Sequence, residues 1–312
     1  MTRDVHAALA QHATDYTVRR ELHRVPPHAI YEIAFGGRRA VCKLATDPEG
    51  DPATEDRIVE FVGRETHVSV PEVLAVGSDH FVAAYHEGVP EPTDGEDEAK
   101  LEAWARAAGA GMATLHAETK AAFEHTGIFC ADDDGLALRS RNSWAKTVET
   151  LLDSRREFLL GTGYADVATA MLAFVRDHLE AFMAPDVPVL CHGNWLPAHV
   201  GTANGEVSCV IDFEHALFGP AEYDYWRTVL PTFAVRERHD LERAFRDGYE
   251  SVRSLPDGFD RRAECYRALN TVSYLHSLFL QDRHDESGTE RQAASMRSYV
   301  SEALGELRET FE

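Results

Sequence analysis

Residues 190–226 read LCHGNWLPAHVGTANGEVSCVIDFEHALFGPAEYDYW, and the fold follows from how this stretch is parsed. An apolar run over 187–191 predicts a short strand, and the polar run from His192 to His199 predicts a tight loop after it. Asn204-Gly205, with apolar alternation on both sides, is a strong two-residue hairpin signal. The second strand of that hairpin, 207–211, delivers Asp212 at its end. A loop and a strand end thus bring polar groups to one cleft.

Working toward the N-terminus, residues 16–22, 29–35 and 39–44 predict three successive strands, with Gly36-Gly37 turning the second into the third. Lys43 lies inside the apolar run AVCKL, in a chain with only four lysines, Lys43, Lys100, Lys120 and Lys146. A lysine in such a strand either snorkels to solvent from an edge or serves a buried site. A helix is expected over 53–63, with Ile58, Val59, Phe61 and Val62 as its apolar face. Glu55 lies in its first turn, and Glu60 is the rival partner for Lys43 a turn later. Two further strands are expected within 68–77 and 81–88, the latter carrying Tyr85 as the chain leaves the sheet. These segments make a five-stranded antiparallel sheet with one helix.

The composition breaks at 90–99, PEPTDGEDEA. We divide the chain there into an N-terminal lobe (1–89), an acidic connecting segment (90–99) and a helical lobe (100–312). Helices are expected at 101–116, 144–160, 167–183, 236–253, 261–281 and 290–311.

The motifs together resemble the aminoglycoside phosphotransferase and choline kinase-like family, distant relatives of protein kinases. The family loop reads His-Gly-Asp and then Leu-His-Pro-Gly-Asn, and the later strand ends in Ile-Asp-Trp/Phe-Glu. Here His192 and Gly193 match, Asn194 stands at the catalytic Asp position, and His199 stands at the metal-binding Asn position. Asp212, Phe213 and Glu214 fit the strand motif, and Gly219 and Asp224 keep their spacing, although Pro220 and Ala221 replace the usual Asp-Pro. The close of the helix at 101–116, ATLHA, is similar to the family helix ending in Leu-His.

This resemblance implies an α+β, two-lobed protein-kinase-like fold and a phosphoryl transfer from ATP or GTP to a hydroxyl of a small molecule, such as an amino-sugar or amino alcohol. It implies that Lys43 reaches the nucleotide phosphates and Glu55 positions it. Arg24 and Tyr85 join them as cofactor-binding candidates. Asp212, with His199, would hold the metal, magnesium or else manganese; magnesium prefers oxygen ligands, and an imidazole suits manganese or zinc better, so weakened magnesium binding is expected. His192 is expected to hold the loop backbone and Asp224 to act as a structural acceptor.

Asn194 can orient a hydroxyl through its carbonyl oxygen but cannot take its proton, a function worth about 10²–10⁴-fold. The turn at 22–29, LHRVPPHA, also lacks the Gly and Ser residues common in the family, and Pro26 and Pro27 remove two amide donors. His23, Arg24 and His28 are the candidates to supply charge there instead. Two readings follow: a small-molecule phosphotransferase, or a catalytically silent relative that binds nucleotide or a metabolite as a sensor or partner. Trp195, Glu214, His215, Tyr223, Trp226 and the 266–274 region are expected acceptor walls, an aromatic and acidic set suited to a cation.

Charge narrows the setting. Fifty-three acidic against 31 basic residues give a formal charge of −22, spread along the whole chain. That reads as adaptation to high salt, where self-repulsion is screened, with an ordinary acidic protein as the alternative. With no basic face apparent, nucleic acid is not an expected partner. No apolar stretch is long enough for a membrane span and no signal-peptide core is present, which points to a cytoplasmic protein. Five cysteines without CxxC spacing argue for reduced core thiols rather than a disulfide framework or zinc ribbon.

Overall fold

The computed structural model describes residues 4–90, 98–132, 135–183 and 187–311. Most of the acidic connecting segment at 90–99 lies outside the described residues. The architecture is α+β and two-lobed, an antiparallel sheet lobe followed by a larger helical lobe.

A short helix, α1 (Val5–Leu9), precedes strands β1 (Tyr16–Val25), β2 (His28–Phe35) and β3 (Arg38–Ala45). Helix α2 (Pro52–Glu65) and strands β4 (Val73–Val76) and β5 (His80–Ala84) complete the lobe. The sheet order is β1-β2-β3-β5-β4, antiparallel throughout. Strand β1 runs three residues further than the sequence reading, so the Leu22–Ala29 stretch is mostly paired strand and only Pro26-Pro27 turns. Its exposed Arg, Glu and His side chains suit an edge strand, where charge discourages pairing with another chain. Asp51 caps α2 by accepting from the Thr54 amide, and Pro52 opens it where no amide donor is needed.

The sheet has its own small core of Val5, Leu9, Ala29, Ile33, Cys42, Leu44 and Val82. Helix α2 does not join it. Ile58, Val59 and Val62 belong to the larger core with Met112, Phe129 and Phe213. The helix that carries Glu55 therefore lies between the lobes, packed on β3, β4 and β5 on one side and on the Thr126–Asp132 and Gly135–Arg141 strands on the other.

The larger lobe opens with α3 (Glu98–Glu118), the hairpin β6 (Thr126–Asp132) and β7 (Gly135–Arg141), and helices α4 (Trp144–Leu159) and α5 (Ala165–Asp177). Strand β8 (Val189–Cys191), the hairpin β9 (Val200–Ala203) and β10 (Glu206–Val210), and strand β11 (Leu217–Gly219) carry the motif region. Helices α6 (Ala221–Thr232), α7 (His239–Glu250), α8 (Phe259–Gln281) and α9 (Glu286–Phe311) close the chain. Strands β7-β6-β11-β8 form one sheet and β10-β9 another, and positive φ at both Asn204 (56°) and Gly205 (82°) gives the hairpin turn its twist. The cysteines are free, as expected, with Cys42, Cys191, Cys209 and Cys265 buried. Among the described residues, no helix is long and apolar enough to cross a membrane.

Candidate active site

Asp224 organises the loop after β8. Its carboxylate accepts the backbone N–H of His192 and of Gly193, each at 2.8 Å, and the ring N–H of His116 at 3.2 Å. These partners outweigh burial and hold its pKa below the ordinary carboxylate range. His116 is the histidine of the ATLHA helix end, so that motif seats the loop from the opposite side.

The loop then turns through Gly193, where φ is +74° and an added Cβ would meet the His215 carbonyl oxygen at 2.2 Å. Only glycine fits. His192 is fully buried, accepts the Asn194 N–H at its Nδ1 (3.0 Å) and donates from Nε2 to the Ile211 carbonyl (3.1 Å). Burial pushes its pKa down to about 4, which leaves a neutral ring that ties loop to strand end.

Asp212 follows β10 in the left-handed region, φ +71°, a costly conformation for a residue with a side chain. That turn aims its carboxylate into the cleft. Oδ2 accepts the Asn194 side-chain amide at 2.5 Å, and Oδ1 accepts from Lys43 Nζ at 2.6 Å. Lys43 also lies 2.7 Å from Glu55 Oε2 and 3.1 Å from Glu214 Oε2. Strand β3, helix α2 and the end of β10 thus meet at one buried ammonium.

Burial alone would lower the Lys43 pKa, but Asp212, Glu214 and Glu55 together hold it well above its usual value. Burial raises the Glu55 carboxyl to about 8, against the pull of Lys43, because Asp212 and Glu214 add repulsion. Glu60, the rival partner, pairs instead with Arg57 on the exposed face of α2. His28 Nδ1 sits 2.7 Å from the second partner of Lys43, Glu214.

His199 shows how a cation could be held. Its Nδ1 bonds the Asn194 carbonyl oxygen at 2.9 Å, which leaves Nε2 as the lone-pair nitrogen, 3.4 Å from Asp212 Oδ2. A lone pair facing a carboxylate calls for a proton or a metal ion between them. Asp212 and His199 thus offer one oxygen and one nitrogen donor, and His28, Glu55 and Glu214 form a separate cluster whose ligand atoms lie within 4.8 Å of one another.

A cavity of about 310 Å³ opens on these groups. Its sheet wall carries His23, Val25, His28, Ile30 and Lys43, and its helical wall carries Arg227, Tyr274, Ser277, Gln281 and Arg283. Two sequence-derived candidates do not reach it. Arg24 pairs with Glu21 at 2.7 Å and bonds the Tyr31 hydroxyl, because strand alternation that turns His23 and Val25 inward turns Arg24 outward. Tyr85 lies under the Arg39 guanidinium, 3.4 Å from its ring centre, beyond the end of β5.

The expected acceptor wall is also redrawn. Trp195, Tyr223, Trp226 and Tyr266 are core residues, and of that set Glu214, His215 and Tyr274 line the cavity. Arg227, absent from the sequence reading, lies on α6 with its Nε bonded to the Gly193 carbonyl and its guanidinium 4.9 Å from the centre of the Tyr274 ring. The signal was available: a lone arginine inside the run YDYWRTVL poses the same question as Lys43 inside AVCKL.

No curated protein matches the chain in sequence. Solved structures do. The aminoglycoside phosphotransferase APH(4)-Ia superposes with a TM-score of 0.68 at 19% identity, over 96% of this chain and 97% of that one. A thermostable mutant of APH(4)-Ia, in ternary complex with ADP and hygromycin B, gives 0.67 at 20% identity with the same coverage. The macrolide 2′-phosphotransferase MphH from Brachybacterium faecium gives 0.58 at 17% identity, over 94% of this chain and 95% of that one. At such identity the likeness fixes the fold as kinase-like. The model of the phosphotransferase enzyme family matches residues 28–265, well over half of the sequence, and the chain belongs to that family.

Proposed function

We propose that the protein is an ATP-dependent phosphotransferase acting on a hydroxyl of a small molecule. The observation that carries this reading is the convergence of Glu55 and Asp212 on Lys43, from three separate elements, beside a cavity that Lys43 and Asp212 line. ATP as donor is supported by the ADP complex of the APH(4)-Ia mutant. In this reading Lys43 exchanges its carboxylate partners for nucleotide phosphate, with Glu55 keeping it in place. Asp212, with His199, would hold a divalent cation, which supplies charge neutralisation between the phosphates.

Asn194 has its amide N–H₂ committed to Asp212, so its carbonyl oxygen is the group left to accept the acceptor's hydroxyl hydrogen. The hydroxyl oxygen then bonds the γ-phosphorus as the bond to the β–γ bridging oxygen breaks and ADP leaves. The hydroxyl proton goes to solvent or to the transferred phosphate, because neither Asn194 nor the neutral, fully bonded His192 can take it. A loose transition state tolerates that loss at reduced rate.

The amide at position 194 also favours a second reading, a relative that binds nucleotide without turnover. Product formation across a panel of hydroxylated metabolites, with Mg²⁺ and with Mn²⁺, separates the two. Turnover that is greater with Mn²⁺ and abolished by Asp212→Ala is the expected result. Tight nucleotide binding with no product selects the silent relative, and neither binding nor product refutes both.

A further inference from the structure

The helical wall of the cavity has the opposite character to the chain as a whole. Arg227 and Arg283 line it, and among the described residues neither forms a salt bridge, although Arg227 donates to the Gly193 carbonyl and to Asn270 Oδ1. In a protein with 53 acidic and 31 basic residues, two arginines on one cavity wall run against the net charge. The acidic side chains that do reach the cavity are already matched. Asp212 is held by Lys43 and Asn194, and Glu214 by Lys43 and His28.

One more guanidinium and a buried neutral histidine lie in the layer around them. Arg155 on α4 has a buried Nε with no hydrogen-bond partner; burial, then the Arg227 charge, lower its pKa, against Tyr223 and Glu49. His276, almost fully buried on α8, has neither ring nitrogen hydrogen-bonded and sits beside Arg155, Arg227 and His215. Its nearest carboxylate is Glu49, at 3.7 Å. Burying uncompensated guanidinium charge is expensive unless something neutralises it.

We infer that the acceptor carries an anionic group, a carboxylate or a phosphate, bound by Arg227 and Arg283 on the helical wall while its hydroxyl faces Asn194. This names the substrate class for the cavity assigned above and rests on that assignment. It also departs from the cation expected from an acidic, aromatic wall. Arginine suits the role because its planar fork meets a carboxylate or phosphate with two parallel hydrogen bonds.

Four sugars of matched size test it: glucuronate, glucose 6-phosphate, glucose and glucosamine, each measured by equilibrium binding without nucleotide and then as an acceptor with ATP and Mn²⁺. At least one of the two anions should bind about tenfold or more tightly than glucose and glucosamine, the scale of one charge-assisted contact. Which anion wins distinguishes a carboxylate from a phosphate source. Arg283 is exposed at the end of α8, so Arg283→Ala should fold, lose the preference and raise KM with kcat largely kept, and Arg283→Lys should restore part of it. Equal or tighter binding of glucosamine, no binding of any of the four, or an unchanged preference in Arg283→Ala overturns the inference. The binding arm needs no turnover: anion binding without product leaves the inference standing and removes the phosphotransferase reading. Phosphorylation of glucosamine in preference to the anions does the reverse.

Discussion

The side-chain amide of Asn194 donates to Asp212 Oδ2 at 2.5 Å, a bond that a carboxylate at position 194 could not make. In the reading that sets Asn194 at the family's catalytic Asp position, the amide is part of the charge balance of the site. Asp212 also faces Glu214 and Glu55 across a single ammonium, so a neutral neighbour relieves it.

Asn194→Asp should make the site depend more strongly on a cation. Two carboxylates at that distance cannot both ionise without one between them. The variant should melt below wild type in the presence of a chelator and recover with Mn²⁺. With metal at saturation it should turn over faster by about 10²-fold, the low end of what a general base supplies. A melting temperature that responds to metal no more than wild type contradicts this account of the bond.

Lys43→Met removes the ammonium while nearly keeping its volume, and leaves three carboxylates in contact. Breaking a buried pair on one side costs about 3–5 kcal/mol, and urea titration should read a loss of that order. Adding Glu55→Gln should restore part of it. If the two changes are simply additive, the pair is not coupled.

Asp56 gives a pH dependence independent of the site. It is fully buried with both carboxylate oxygens unbonded, and burial, then Glu60, push its pKa from 3.8 up to about 7 against Arg57. Its contribution to stability is whole below 3.8 and is lost as pH rises through about 7, where the buried group must ionise. Asp56→Asn should therefore gain in melting temperature over wild type as pH is raised from about 5 to about 8.5. A constant difference across that range would show that Asp56 is not the group titrating.

The formal charge of −22 predicts that thermal stability rises from low to molar KCl as self-repulsion is screened. A flat response favours the ordinary acidic protein over the salt-adapted one.

The sheet lobe was legible because its strands alternate and its turns carry Gly-Gly, and the β9–β10 hairpin because Asn-Gly takes positive φ at both positions. The β6–β7 hairpin went unread although the sequence has Asp-Gly at 134–135, a weaker form of the same signal. Strand β11 spans three residues, too few for any period to emerge. Helix α6 is buried on every side from Glu222 to Leu230, so it has no polar face to produce a helical period, and Arg227 was hidden with it. Arg24 was misassigned for a local reason: periodicity says that neighbours face opposite ways, but not which of them faces the cleft. The place of α2 between the lobes depends on tertiary packing that sequence order does not reveal.

The phosphotransferase reading requires that the cavity lined by Lys43 and Asp212 take a nucleotide. Calorimetric titration of ATP, with and without Mn²⁺, into wild type and Asp212→Ala measures this directly. Wild type should bind ATP more tightly with the metal, and Asp212→Ala should keep the metal-free affinity while losing the increment. Wild-type protein that binds no ATP under either condition would contradict the account at its centre.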